Sequence, residues 1–228
     1  MQKILTTLSL TIMLFTIHTA LKHKMHRKMK LERLKNLAVL MAGHPIRGSI
    51  EHTPGGEMAV VQMRDVDPEK GIQKDGLCRI NLKGRKKPDY LRQGDILFVG
   101  RGYRIFAVLV DENLEQAVAS PHFFILQIKP GALIRPDYLA WYINHTRAQK
   151  YFSSHVEGTA LPYINRTVLE KLLVILPPLQ VQDLIVNAYR CSLREKALLE
   201  ALIEKKKFLL DELLDKTLNH YDTHEDRL

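Results

Sequence analysis

Apolar positions in the last fifth of the chain repeat with a helical period. Leu184, Ala188, Cys191, Leu198, Leu202, Leu209 and Leu213 recur at spacings of three, four or seven, while Arg194-Glu195-Lys196 and Glu204-Lys205-Lys206-Lys207 fill the opposite side. The pattern predicts one amphipathic helix from Leu179 to about Leu218, entered at the break Pro177-Pro178. About forty residues at 1.5 Å each give a rod of roughly 60 Å, longer than a domain of this size covers with its own body. Its near-heptad seam packs either back on its own domain or, in the reading preferred here, against a second helix within or between chains.

Upstream the period changes. Met58–Met63, Ile96–Val99, Arg104–Val110, His122–Ile128 and Leu172–Leu176 are short apolar runs rich in β-branched residues, bounded by Pro54-Gly55-Gly56, Gln93-Gly94-Asp95, Gly100-Arg101-Gly102, Ser120-Pro121 and Pro130-Gly131. These read as strands, the second and third forming a hairpin. Three short helices are expected: one from Met29 through Leu31, Leu34, Leu37 and Val39; one opened by Arg135-Pro136-Asp137, with Leu139, Tyr142, Ile143 and Phe152 inward; and one opened by Thr167-Val168-Leu169-Glu170 as a capping box. The fold class is α+β: a β-rich domain with short helices, then a long C-terminal helix of coiled-coil-forming type. The organisation reads as a 1–28 extension, a 29–178 domain, a 179–219 helix and a 220–228 polar tail.

Composition adds two constraints. The 228 residues suffice for a real core, and 46% hydrophobic with 26% charged residues are ordinary values that imply no large disordered fraction. A formal net charge of +9 favours polyanions, either nucleic acid or an anionic membrane surface. Cys78 and Cys191 stand far apart and read as free thiols of a reducing compartment. At the N-terminus, Ile4–Leu21 is mostly apolar but diluted by Thr, Ser and His. Its heavier charge, Lys22 to Lys30, follows rather than precedes it, the inverse of a secretory signal. Either translation starts downstream at Met25 or Met29, or the segment is a membrane anchor; both leave the functional body cytoplasmic.

No catalytic or metal motif stands out. His-Glu-x-x-His, Cys-x-x-Cys, a Walker-type loop and Gly-x-Ser-x-Gly are missing, and Gly100-x-Gly102 lacks the third glycine of a dinucleotide loop. Glu204-x-Lys206 superficially matches a nuclease element but lies on the charged face of the rod. The chain reads as a binder or scaffold without metal or catalytic residues.

The order of segments carries more than any one of them. Gln93-Gly94-Asp95-Ile96-Leu97-Phe98, a glycine-containing hairpin, Ser120-Pro121, Pro136-Asp137-Tyr138-Leu139, Gly158-Thr159, and Leu176-Pro177-Pro178-Leu179 with Gln182 and a long helix resemble, in that order, the DNA specificity subunit of type I restriction-modification systems. The similarity spans roughly Met29 to Leu218. Val181 stands where the family usually has Glu, which leaves the helix start unaffected. The resemblance implies a target recognition domain followed by a long helix, where a full subunit has two of each with the helices antiparallel. This chain looks like half of that, able to rebuild the whole as a homodimer on a symmetric, interrupted site. It further implies methyltransferase subunits that use S-adenosylmethionine and a restriction subunit that uses ATP, both cofactors bound outside this chain.

On this reading the partner is double-stranded DNA. Arg79, Lys83, Arg85, Lys86 and Lys87 are expected at phosphates, since clustered cations release counterions. Arg101, Tyr103 and Arg104 on the glycine hinge, with Thr159, Tyr163, Asn165 and Arg166 in the later loop, are expected at base edges. The competing readings are a membrane-anchored cytoplasmic coiled-coil scaffold and an enzyme fragment with an unrecognised motif.

Overall fold

The structure, a computed structural model, describes residues 30–46, 48–81, 88–158 and 160–225, with side chains described as far as residue 219. In chain order the elements are β1 (Lys30–Arg33), α1 (Leu34–Leu37), β2 (Ala38–Ala42), β3 (Met58–Val61), a 3-10 turn (Met63–Asp65), β4 (Val66–Asp67), β5 (Gly71–Ile72), β6 (Cys78–Ile80), β7 (Ile96–Val99), β8 (Phe106–Leu109), β9 (Ala117–Ala119), β10 (Phe123–Ile128), α2 (Pro136–Asn144), α3 (Thr146–Ser153), α4 (Arg166–Lys171), β11 (Leu173–Leu176) and α5 (Leu179–Glu225). The chain divides into two compact units, the first running up to Gln182 and the second from Asp183 onward.

A four-stranded antiparallel sheet, ordered β2-β10-β7-β8, is the centre of the first unit. β7 lies inside that order and all four of its residues are buried, as a continuous apolar run requires. The predicted hairpin is present, pairing Ile96 with Leu109 and Val99 with Phe106. A second sheet, β6-β3-β9, pairs β3 with β9 in parallel; a ribbon joins β1 to β11, and β4 pairs with β5. The apolar cores gather on these strands, one around Leu97, Val99, Val108, Phe123 and Ile125, another around Met58, Val60 and Val118.

Polar side chains close the backbone where strands end. Asn144, at the end of α2, accepts from Ala107 N and donates to Ala107 O, each at 2.8 Å, and so completes the edge of β8 as another strand would. Tyr138 and Tyr142 donate to the carbonyls of Ile175 and Leu173, docking α2 on β11. Burial holds the Tyr138 phenol well above its usual range. Gln182 is fully buried; it accepts from Arg135 N at 2.9 Å and donates to Leu133 O at 3.0 Å and Pro177 O at 2.9 Å. All of its amide capacity but one lone pair is thereby used.

Two local expectations are corrected. The helix expected from Met29 is two strands around a single helical turn: Lys30–Arg33 pairs with β11, only Leu34–Leu37 is helical, and from Ala38 burial alternates residue by residue, Ala38 and Leu40 in and Val39 out, as extended backbone requires. Thr167 does not cap the third short helix. Asn165 does, its Oδ1 accepting from Val168 N at 2.8 Å, and Glu170 accepts from Arg166 Nε at 2.7 Å instead of reaching back to the cap. Four short strands, β4, β5, β6 and β9, carry no sequence signal strong enough to separate them from turns.

In the second unit, α5 runs on to Glu225 with its leucines bare: Leu198 is 72% exposed and Leu213 61%. Leu184, Leu202 and Leu209 of the predicted seam are exposed as well, as is Cys191, while Ala188 is half-buried. The apolar surface is wider than one seam. Leu198, Leu199, Leu202 and Ile203 recur as Leu209, Leu210, Leu213 and Leu214, two adjacent columns with an eleven-residue repeat, which tracks a nearly straight helix face more closely than a heptad does.

Candidate nucleic-acid interface

Two loops converge beside the central sheet. One is the hinge Gly100-Arg101-Gly102 after β7; the other is the segment Pro162–Asn165 before α4. Gly102 N donates to Pro162 O at 2.8 Å and Ile164 N to Gly100 O at 2.7 Å, so the hinge and the segment lie side by side. Gly100 is needed there, since a Cβ would stand 2.8 Å from the Phe98 ring and 3.2 Å from Ile164 O. Gly102, at φ +100°, occupies the left-handed region that lets the hinge reverse.

Between these loops and the start of β10 lies a cleft of about 350 Å³, with Arg101, Tyr163, Asn165, Arg166 and His122 among its lining and Phe123, Phe124 and Ile164 on its apolar wall. Residues far apart in sequence thus face one cavity. Arg101 brings a planar donor fork, and its guanidinium has no ion-pair partner among the described residues. Arg166 is tied to Glu170 on the next turn of α4. Asn165 is less free than its type promises, for its carbonyl caps α4 and its amide donates to Glu157 Oε1. Among the described residues no group of acidic, cysteine and histidine side chains is placed to hold a metal ion.

The other candidate residues are dispersed. Tyr103, 87% exposed, and Arg104 lie on the same turn as Arg101 but are not cleft-lining. Arg104 sits 4.0 Å from Asp67 and over the Phe106 ring. Burial pushes the Asp67 carboxyl up, but amide hydrogen bonds from Lys70 and Glu69 and the Arg104 and Lys70 charges together outweigh it and hold the group below the usual carboxylate range. Arg79 belongs to β6; its Nε donates to Gly56 O at 2.8 Å and its Nη2 to Glu57 O at 3.5 Å, so part of its fork supports the Pro54–Gly56 turn. Lys83, Arg85, Lys86, Lys87 and Thr159 lie outside the described residues, as does the segment Ile4–Leu21. His122 and Glu157 escape the sequence reading. A single histidine after Ser-Pro and a single glutamate in a loop carry no spacing signal, and only the fold brings them to the cleft and its margin.

Donors from two loops thus rim one cleft in a β-rich domain that is followed by a long helix. The model of the type I restriction modification DNA specificity domain matches residues 28–189, and the chain belongs to that family. Its members select DNA and are non-catalytic. Solved structures agree in fold. The chain is similar to the S subunit of the type I restriction-modification system from M. genitalium at 17% identity and TM-score 0.51, covering 81% of this chain and 44% of that one. It is also similar to the HsdS subunit from Thermoanaerobacter tengcongensis at 20% identity and TM-score 0.54, covering 81% and 48%. A third similar chain comes from work on complex assembly and conformational transition of the type I R-M system, at 17% identity and TM-score 0.58, covering 92% and 52%. The chain spans about half the length of these solved structures. No curated protein matches it. No helix among the described residues is long and apolar enough to cross a membrane.

Proposed function

We propose that the chain is a single-domain form of the type I specificity subunit, a cytoplasmic reader of double-stranded DNA. Residues 29–178 form the target recognition domain, 179–219 the partner helix, 1–28 an extension and 220–228 a tail. The observation that carries the reading is the convergence of Arg101 with Tyr163, Asn165 and Arg166 on one cleft, within the segment matched by the specificity-domain model. Arg79, Lys83, Arg85, Lys86 and Lys87 meet phosphates and set register; the cleft rim, with Tyr103 and Arg104 beside it, meets base edges.

The exposed leucine columns of α5 pair with those of a second copy, producing a homodimer with two recognition domains and hence a bipartite site whose spacing the helices set. The dimer places methyltransferase subunits on that site and, through them, a restriction subunit. S-adenosylmethionine and ATP act on those partners.

Titration of the full chain against a duplex pool randomised in sequence, with sequencing of the bound fraction, tests the reading. The expected result is enrichment of two short half-sites at a constant interval, together with a steep fall in affinity as salt rises. A bound pool indistinguishable from the input would refute it.

A further inference from the structure

The rim of the cleft is more ordered than a set of loop side chains. Arg101 faces Tyr163 in an antiparallel bridge, and Tyr163 faces Glu157 in another. Glu157 N donates to Tyr163 O at 3.0 Å and Tyr163 N to Glu157 O at 2.9 Å. The three segments make a miniature sheet with Tyr163 in the middle. Residues directly opposite one another in such a ladder project to the same face, and so do residues two apart on one strand. Arg101, Tyr163 and Glu157 therefore form a row, with Asn165 next to Tyr163. The turn that closes it depends on Gly158, whose φ of +83° and 2.9 Å Cβ distance from Leu161 O exclude a side chain.

Glu157 does not line the cleft. Its carboxylate receives the Asn165 amide at Oε1, and Glu157 stands directly opposite Tyr163 in the ladder, where it raises the phenol above its usual range while the Arg101 charge acts the other way. A phenol free to rotate offers a donor and an acceptor. With its proton directed to Glu157, Tyr163 offers the cleft only its oxygen lone pairs. The rim then presents a fixed sequence, the donor fork of Arg101 followed by the acceptor of Tyr163. A carboxylate close behind also repels phosphate, which favours a base edge over backbone at this spot.

We infer that this row reads one guanine–cytosine pair in the major groove, with Arg101 donating to guanine O6 and N7, the Tyr163 oxygen accepting from the cytosine amino group, and Glu157 as the positioning residue that makes Tyr163 an acceptor. The inference rests on the DNA reading proposed above. Guanine shows two acceptors side by side and cytosine a donor, and no other pair offers that order to a donor fork followed by an acceptor.

The test uses the full chain and the randomised duplex pool, comparing wild type with Arg101→Ala, Tyr163→Phe and Glu157→Gln, each checked for an unchanged melting profile. Wild type is expected to require G·C at one position, and Arg101→Ala to relax that position by roughly tenfold or more while leaving the others in place. Tyr163→Phe relaxes the same position. Glu157→Gln does so less, because the amide keeps one acceptor oxygen but not two. If wild type selects a site and none of these variants changes a G·C position, or if all three weaken every sequence equally, the row is not a reader although the DNA reading stands. If wild type selects nothing, the DNA reading falls and this inference with it.

Discussion

The two units of the chain manage their apolar surface in opposite ways. In the first, the strands that carry the leucines, valines and phenylalanines are covered: Ile96, Leu97, Phe98 and Leu126 are wholly buried, Asn144 completes the edge of β8, and Gln182 satisfies two carbonyls and an amide. In the second, leucines of similar size stand in water along α5. Burying a leucine is worth about 2 kcal/mol, so two columns of them hold a large unrealised free energy, which the proposed dimer would recover.

The sharpest way to break this contrast is to charge the columns. Leu202→Asp combined with Leu213→Asp is expected to weaken the proposed dimer by about 4 kcal/mol, close to a thousandfold in dissociation constant, while leaving the unfolding of the first unit unchanged. Analytical ultracentrifugation of the double variant, alongside a urea titration, reads both effects. A wild-type chain that sediments as a monomer at high concentration would remove the contrast altogether.

Gln182 probes the covered side. Gln182→Ala strands the carbonyls of Leu133 and Pro177 and the amide of Arg135, at a cost of about 3 kcal/mol in the urea stability of the first unit. Smaller again is the cap. Asn165→Ala is expected to lose about 1 kcal/mol, whereas Thr167→Ala, at the position the sequence pattern favoured, should change stability by less than about 0.5 kcal/mol. A larger loss from Thr167→Ala than from Asn165→Ala would return the cap to Thr167.

A pH dependence adds a further small effect. Burial raises the Asp95 carboxyl above its usual range despite hydrogen bonds from Arg92 N and Gln127 Nε2. The native state therefore binds this proton more tightly than the unfolded chain, whose carboxyl titrates near 3.8, and the group adds stability as pH falls from neutrality through its raised pKa towards that value. Asp95→Asn abolishes the gain. Its stability deficit relative to wild type should widen by under about 1 kcal/mol over that window, measured by urea midpoints at stepped pH.

Much of the framework is readable in advance where one physical signal dominates. β7 is an unbroken apolar run between turns, α2 starts on a proline whose φ suits a first turn, and α5 follows a double proline with a sustained helical period; each starts within a residue or two of where the pattern places it, although α2 ends at Asn144, before Phe152, and α5 runs on past Leu218 to Glu225. The signal fails where two patterns compete. Leu31, Leu34, Leu37 and Val39 match a helix by spacing, yet β11 offers backbone partners to Lys30–Arg33 and the segment pairs with it instead. Asn165 and Thr167 are both good caps, and the preceding strand, held to Gly100 and Glu157, decides which residue stands at the helix start.

For the candidate site the division is similar. The residue types that can read a base edge, arginine, tyrosine and asparagine on glycine-rich turns, are visible from chemistry alone, because few side chains present planar donors and turns are where they reach outward. Their grouping is not. The sequence by itself determined the repertoire: a basic chain, a β-rich domain, and a long helix with a sustained apolar period. Only the tertiary structure decided that Arg101 stands opposite Tyr163, that Asn165 is occupied as a cap, and that Glu157 shares their face. Pairing across strands joins residues about sixty positions apart, and no local periodicity encodes which ones meet.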